Sequence, residues 1–447
     1  MSTSTYQDGL TIVTRIVDGE MEALRSSLQA IEDDIEANPY VPFRQFETIH
    51  FARWVVFDAA MDAQGRPTPA QLVFSSNVDE PVAAHLDELY DKGLAGLNHV
   101  YRHCVGYPPS GERTREHVLA YLRQHEIGYN TLYGGTRGRT MRQIRQEAEL
   151  RDHLQQFLDE KIEADPGFRE QAPEDIRRAL QAFVRAQPAL AWTQKGSSHQ
   201  PRWWPRVRDG WFFGAILLLV ILPVVAGLWA GALAGAGVLL GMMLLGVGAG
   251  LTLQRKERRD EQYPPETDFA HVRTLAMRED RIVQNQMSSV TNVKPGWFRW
   301  ALLALVLRVI DLAGRYIYTN GRLGTIPSIH YARWVLIDGG RRLVFFSNFD
   351  GSWENYLGDF IDKAATGLTA VWSNTYGFPR TRRLIQEGAT DEQRFKAYAR
   401  NSQVVTNVWY SAYKRLSVQN INNNSLIRRG LFGSQTRAET EAWLQRF

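Results

Sequence analysis

Two pentads, His50-Phe51-Ala52-Arg53-Trp54 and His330-Tyr331-Ala332-Arg333-Trp334, stand 280 positions apart and share the pattern His-x-x-Arg-Trp. A histidine can move a proton near neutral pH or ligate haem iron, and an arginine can steady an anion or a peroxide. His50, Arg53, His330 and Arg333 are therefore the first catalytic candidates. On a strand, residues three apart point to opposite faces, so His and Arg of one copy share a pocket only if a bulge intervenes. The competing reading is structural. It has an interior histidine held by hydrogen bonds and an arginine paired to an acid, with Asp79 and Asp350 as the repeated candidates.

Other positions repeat with them. Asn77 and Asn348 close matching strands, where each could cap the next helix or point into a pocket. Asp79 and Asp350 suit helix caps. Tyr133 and Tyr410, near Tyr129, Asn130 and Asn407, could offer hydrogen bonds or redox-active rings to a cavity, although packing is the commoner role. His103 faces Asn374 in the alignment, so a ligand kept in one half only would be His103. His99 and His103 lie four apart in a stretch read as a strand, and with His85 they suggest a metal. No acidic or cysteine partner falls at a ligand spacing, so no metal site is assigned.

The elements that must position these residues are duplicated too. QLVFSSNVDEPVAAHLDELYDKGLAGL returns as RLVFFSNFDGSWENYLGDFIDKAATGL at an offset of 271, and AYLRQHEIGYNTLY as AYARNSQVVTNVWY at 277. In the first copy the patterns predict a strand over 10–17, a helix over 19–33, and strands over 48–58 and 71–77. A helix over 80–92 and a strand over 97–105 follow. This is the order of a ferredoxin-like plait. In the second copy the first strand falls at 286–293 and its helix at 297–316. The strand carrying each pentad is apolar on both faces, so both faces must be covered. Helices cover one, and the other copy's sheet is the natural cover for the second. The expected fold is α+β: two ferredoxin-like repeats forming an intramolecular α/β barrel, with an inserted two-helix transmembrane hairpin. The boundaries are a first repeat over 8–165, a helical linker over 166–209, the hairpin over 210–254, a linker over 255–283, the second repeat over 284–425, and a tail over 426–447.

That element order resembles the dimeric α/β-barrel superfamily, which includes dye-decolourising peroxidases, chlorite dismutase-like haem proteins and small EthD-type monooxygenases. The segment Ser347-Asn348-Phe349-Asp350-Gly351 resembles the peroxidase GxxDG motif, with Ser347 in place of its first glycine. The resemblance implies haem as cofactor. His103, His330, Asn77, Asn348 and Asp350 are the residues expected to bind it.

The insert is the sharpest departure from average composition. Residues Gly210–Gln254 carry no charge, a length that crosses a bilayer core of about 30 Å twice. Pro223 and the glycines at 227–237 offer the turn. Gly227, Gly231, Gly235, Gly237 and Gly241 recur at small-residue spacing that permits close helix packing, within the hairpin or between subunits of a homo-oligomer. Lys195, Arg202, Arg206 and Arg208 precede the run, while Arg255, Lys256, Arg258 and Arg259 follow it. Cations on both sides keep both ends in the cytoplasm and place the chain in the inner membrane. Trp203, Trp204 and Trp211 suit the interface. Arg308, Asp311 and Arg315 form one stripe of an otherwise apolar helix over 297–316, expected to lie in the membrane interface. The basic tail from Tyr413 is expected as a surface helix touching lipid headgroups.

A single cysteine, Cys104, excludes an internal disulfide and suits a reducing compartment. The start of the chain has no signal-peptide pattern. A net charge of +4 on 447 residues gives no reason to expect nucleic acid. Phosphate loops, HExxH, CxxC pairs and nucleophile elbows are missing, which disfavours nucleotide, zinc-protease and serine-hydrolase chemistry. The expected function is a membrane-anchored oxidoreductase of haem-peroxidase or monooxygenase type, acting on a hydrophobic small molecule at the cytoplasmic membrane face. The alternative is a non-catalytic membrane scaffold or lipid-binding protein assembling through glycine-rich helices.

Overall fold

The computed structural model describes residues 7–62, 64–194, 209–263, 266–318, 323 and 325–447. The first half runs β1 (Gln7–Arg15), α1 (Met21–Glu32), β2 (Ile49–Phe57), β3 (Gln71–Asp79), α2 (Val82–Tyr101), α3 (Arg115–Gln124), β4 (Thr131–Gly134) and α4 (Met141–Ala164). Next come α5 (Pro173–Ala186), the apolar pair α6 (Gly210–Ala230) and α7 (Ala232–Arg259), and α8 (Phe269–Ala276). The second half is β5 (Gln284–Asn292), α9 (Trp297–Tyr316), β6 (Ile329–Ile337), β7 (Arg342–Asp350), α10 (Trp353–Trp372), α11 (Glu392–Ser402), β8 (Thr406–Ser411) and α12 (Val418–Leu431). A short α13 (Arg437–Leu444) ends the chain.

These strands build two four-stranded antiparallel sheets, in the orders β1-β3-β2-β8 and β4-β6-β7-β5. The internal repeat survives down to the register. Gln7 faces Asp79 as Gln284 faces Asp350, and Tyr410 faces Ala52 as Tyr133 faces Ala332. The last strand of each half crosses to the other half's sheet. β4 lines up on β6, and β8 lines up on β2.

This exchange corrects the expected plait. The segment 97–105 is not its fourth strand, because α2 continues to Tyr101 and buries Gly93, Gly96, Leu97, Val100 and Tyr101 at helical spacing. A short apolar run reads equally well as strand or helix until its neighbours are known. Nor does a closed barrel form: among the described residues no ladder joins the two sheets. They meet face to face instead, sharing a layer of Val55, Phe57 and Val73 against Val335, Ile337, Val344 and Phe346. The outer faces are covered by α1 and α2 on one side and by α9 and α10 on the other.

Both α6 and α7 are long and apolar enough to cross a membrane, and their side chains are almost wholly uncovered by the rest of the chain. Gly231 makes the turn at φ +88°, while Pro223 stays inside α6. A Cβ at Gly235 would fall 2.8 Å from the Pro223 carbonyl oxygen and 3.0 Å from Gly227 Cα, so these glycines are what lets the two backbones touch. Among the described residues a Cβ at Gly237 or Gly241 would meet nothing within 4 Å. Lys195, Arg202, Trp203, Trp204, Arg206 and Arg208 lie outside the described residues.

The expected surface tail is corrected as well. α12 lays Ile427 and Leu431 against Leu150 and Leu154 of α4, and Arg428 pairs with Glu147 at 3.2 Å. The apolar α9 has the predicted bounds, but its charged stripe faces inward. Asp311 and Arg315 are buried, whereas Trp297, Trp300, Leu305 and Val309 are exposed.

Candidate functional site

The register of β2 against β3 slips between Ile49 and Phe51, and that of β6 against β7 between Ile329 and Tyr331. Each irregularity falls on the pentad histidine. It frees the ring from the strict alternation that would separate it from the arginine. His50 comes to 5.6 Å from the Tyr331 ring and 5.8 Å from Tyr413, while His330 lies 5.3 Å from Phe51 and 6.0 Å from Tyr413. The two histidines thus converge on a single tyrosine at one end of the layer between the sheets.

Each is held from behind by the aspartate at the end of the neighbouring strand. His50 Nε2 lies 3.0 Å from Asp79 Oδ1, and His330 Nε2 lies 2.7 Å from Asp350 Oδ1. A carboxylate oxygen accepts, so Nε2 carries the proton, leaving His50 Nδ1 to accept from the Tyr413 hydroxyl at 2.9 Å. The second oxygen of each aspartate accepts from a helix N-terminus. Met141 N of α4 donates to Asp79 at 3.0 Å, and Val418 N of α12 donates to Asp350 at 2.8 Å. These aspartates do serve helix starts, yet of helices that follow the exchanged strands and not of the next helix in sequence. Their side-chain partners are the histidines, where the structural reading had arginines.

The symmetry breaks at one atom. By the repeat offset of 277, the counterpart of Tyr413 is Thr136, whose side chain is too short to serve as the phenol does. His330 Nδ1 accordingly has no hydrogen-bond partner among the described residues. Burial holds the Tyr413 phenol well above its ordinary range, so it stays protonated and serves as a donor.

The arginines reach across the sheet interface. Arg53 donates to Met287 O at 2.8 Å, Ser288 Oγ at 3.0 Å and Ser347 O at 2.9 Å. Arg333 donates to Leu10 O at 2.7 Å, Thr11 Oγ1 at 3.0 Å and Ser76 O at 2.6 Å. These are the same positions under the repeat offsets, so the two halves clasp each other reciprocally. Neither guanidinium has a carboxylate partner in this clasp. Burial lowers the Arg53 pKa to about 9, with the Arg333 charge adding to the effect, and burial lowers Arg333 to about 10; both remain charged at neutral pH. Asn348 accepts from Arg53 and from Trp409 Nε1, and donates to Asn77 Oδ1 at 3.2 Å. Asn77 and Asn348 therefore meet across the interface and cap no helix.

Other expected residues lie apart. Tyr133 and Tyr410 point away from the inter-sheet layer. Tyr410 stacks 4.5 Å from Phe43 and accepts from Arg145, whereas Tyr133 packs in the core beneath α9 and its hydroxyl has no partner among the described residues. His103 belongs to the turn after α2, between Glu20 at 2.7 Å and Ser27 at 3.1 Å. His85 bonds Ser76 and Thr48, and burial lowers its pKa to about 4, which keeps it neutral. His99 stacks on Tyr40 at 3.8 Å. The described residues hold no group of three His, Cys, Asp or Glu that could hold a metal.

Haem does not fit the pentad residues. The cavity that touches Tyr331 has a volume of about 30 Å³, one water's worth, and the rings of Phe51, Tyr331 and Tyr413 fill the space between the histidines.

Space is found at the anchor. A cavity of about 730 Å³ opens between α6 and α9, walled by Trp211, Ile216, Leu219 and Leu305 and floored by Tyr129 and Arg308. Charged groups brace its floor. Arg308 donates to Asp209 at 2.6 Å and to Asp311 at 3.1 Å, and it stacks over Trp211. Tyr316 donates to Asp209 at 2.5 Å, and Leu132 N of β4 donates to Asp311 at 3.2 Å. At the other foot of the hairpin, Asp260 accepts from Lys294 and Arg299, both at 2.7 Å. Arg299 and Arg308 are nine residues apart on one helix, about 13.5 Å along its axis, and hold Asp260 and Asp209 respectively. α9 thus grips both feet of the α6–α7 hairpin.

Asp209, Asp260, Arg299 and Tyr413 were not singled out in the sequence. The signal for the first two was their position beside the uncharged run, Asp209 immediately before it and Asp260 six residues after it, beyond Glu257. Tyr413 gave none, because its repeat partner is a threonine. Comparison with known protein families, curated proteins and solved structures finds no match to this chain.

Proposed function

We propose that the chain is a lipid-binding scaffold of the inner membrane. In this reading α6 and α7 cross the bilayer, both termini and the two-sheet body are cytoplasmic, and the cavity between α6 and α9 takes an amphiphile. Arg255, Lys256, Arg258 and Arg259 at the end of the hairpin support the orientation. The observation that carries the reading is the cavity itself. Its apolar walls are half built by the first spanning helix, and among the described residues its only charged lining groups are the paired Arg308 and Asp311. An acyl chain would lie along Ile216 and Leu219, with its polar end toward Arg308. Both pentad arginines and His50 bond across the two halves, and His330 is held by Asp350 of its own half, which favours a binding role over turnover.

The test is extraction of small molecules from the detergent-purified full chain, followed by mass spectrometry. The wild type should carry lipid or another amphiphile in near-stoichiometric amount. Ala215→Trp with Ala304→Trp, which fills the cavity, should lose most of it while circular dichroism is unchanged. Equal content in both proteins, or none in either, defeats the reading.

The oxidoreductase reading keeps one specific support: His330 Nδ1, buried and unpartnered at the pseudosymmetric centre. The two-sheet arrangement with its element order also supports kinship with dimeric α/β-barrel proteins, with the final strands traded. Adding haemin to the purified protein distinguishes the two functions. A Soret band that His330→Gln abolishes would favour oxidoreductase chemistry, and its absence would remove it.

A further inference from the structure

At the cytoplasmic-side foot of α7 a second cavity, of about 440 Å³, opens between that helix and a small hairpin that follows α10. The hairpin pairs Thr381–Arg382 with Gln386–Glu387. Four arginines line the space: Arg258 from α7, and Arg380, Arg382 and Arg383 from the hairpin. Among the described residues none of the four side chains has an ion pair or a hydrogen bond. Glu257 and Glu387 line it too. Glu257 is already satisfied, accepting from Arg383 N at 2.9 Å, Leu384 N at 2.7 Å and Thr381 Oγ1 at 3.3 Å.

We propose that this cavity binds the phosphate of an anionic ligand, carried by a lipid headgroup or free in solution. Three observations converge. The first is the surplus charge: four unpaired guanidinium groups face one free carboxylate, and the planar fork of arginine matches phosphate oxygens. The second is the built scaffold. The tip residues Arg383 and Leu384 sit at φ +53° and +70°, a strained conformation for non-glycine residues, and the buried Glu257 carboxylate holds them there. That latch fixes the arginine tip to the membrane helix. The third comes from the chain's own duplication. The repeat offset rises from 271 at Pro108 and Pro379 to 277 at Ala120 and Ala397, so Arg380, Arg382 and Arg383 lie in a connection that is six residues longer than its counterpart in the half that carries no membrane helix. The fold therefore does not need the longer connection; only the copy beside the hairpin has it.

Depth favours a lipid source. Arg258 lies five residues beyond Leu253, the last apolar residue of α7, which is about 7.5 Å along the helix. A headgroup layer is about 5–8 Å thick on each side of the hydrocarbon. This source, unlike the phosphate chemistry, rests on the membrane reading of α6 and α7.

The experiment uses the full chain in nanodiscs of phosphatidylcholine doped with phosphatidylglycerol, and separately in detergent with inorganic phosphate. The variants are Arg380→Gln/Arg382→Gln/Arg383→Gln and, as a charge control, Arg123→Gln on α3. The expected result is enrichment of phosphatidylglycerol around the wild type and the control, falling about tenfold in the triple variant. Protection from thermal unfolding by inorganic phosphate alone, lost in the triple variant, would support the site with a free phosphate as its ligand. Equal behaviour of wild type and triple variant in both arms overturns the proposal. Labelling of Leu222→Cys in sealed vesicles reads the membrane insertion independently: a freely labelled thiol sinks the anchor while leaving the phosphate arm interpretable.

Discussion

Arg53 and Arg333 are buried cations whose partners in the inter-sheet clasp are carbonyl, hydroxyl and amide oxygens. Removing either side chain takes a charged donor from two backbone carbonyls of the opposite sheet and empties a buried site, so Arg53→Ala or Arg333→Ala should cost about 3–5 kcal/mol. The loss is readable as a large drop in thermal midpoint, and a change under about 1 kcal/mol would mean that the clasp is incidental. Gly9 belongs to the same argument. A Cβ there would sit 2.4 Å from Arg333 Nη2, so Gly9→Val should displace the guanidinium and mimic much of the Arg333→Ala loss. Glu32 offers a pH test. Burial raises it from 4.5 to about 7, while its carboxylate accepts from Trp409 N on the exchanged strand β8. The folded chain holds this proton more tightly than the unfolded one, so the stabilisation is complete below pH 4.5 and is lost as pH rises through about 7. Glu32→Gln should flatten thermal stability between pH 5 and 8 and gain roughly 1–2 kcal/mol at pH 8; an unchanged slope would refute the assignment. At this scale the repeated His, Arg, Asn and Asp were legible because the duplication marked them. Their partners were not, since each lies in the other half: His50 and Tyr413 are 363 positions apart.

Among the elements, α9 is where legibility was most uneven. Its bounds and its charged stripe could be read from spacing alone, but not the direction of the stripe. Periodicity reports two faces and is silent on which one meets the protein. The stripe turned inward because Arg308 meets the hairpin foot Asp209, while Asp311 pairs with Arg315 and accepts from Leu132 N of β4. α2 shows the converse failure, a helix end mistaken for a strand because its apolar run is short. The clamp gives an element-scale prediction. Asp209→Asn with Asp260→Asn removes the charge from both feet without changing their size, and should free the hairpin from the body while both remain folded. Spin labels on α7 and α10 should then give a broadened distance distribution in bilayers, against a narrow one for the wild type. An unchanged narrow distribution would assign the rigidity to the Glu257 latch alone.

For the whole molecule, the traded strands decide how it can be taken apart. Without β8, β2 becomes an exposed edge of wholly buried residues, and without β4 so does β6, whose residues are all buried except the half-buried Leu336. α4 and α12 pack on each other immediately after those strands, so each half would also expose a helix face. Sequence similarity between the halves suggests two independent domains, because it records common ancestry and says nothing of which copy a strand pairs with. The pairing predicts one cooperative unit. Residues 1–194 expressed alone should aggregate or stay partly unfolded, as an unprotected hydrophobic edge does, and co-expression with 209–447 should restore a soluble or membrane-bound pair in detergent. Fluorine probes on Trp54 and Trp334 of the intact chain should report the same unfolding midpoint. Were the first half to fold alone, with a midpoint of its own, the exchanged strands would be peripheral and the reciprocal arginine clasp would not be what holds the two sheets together.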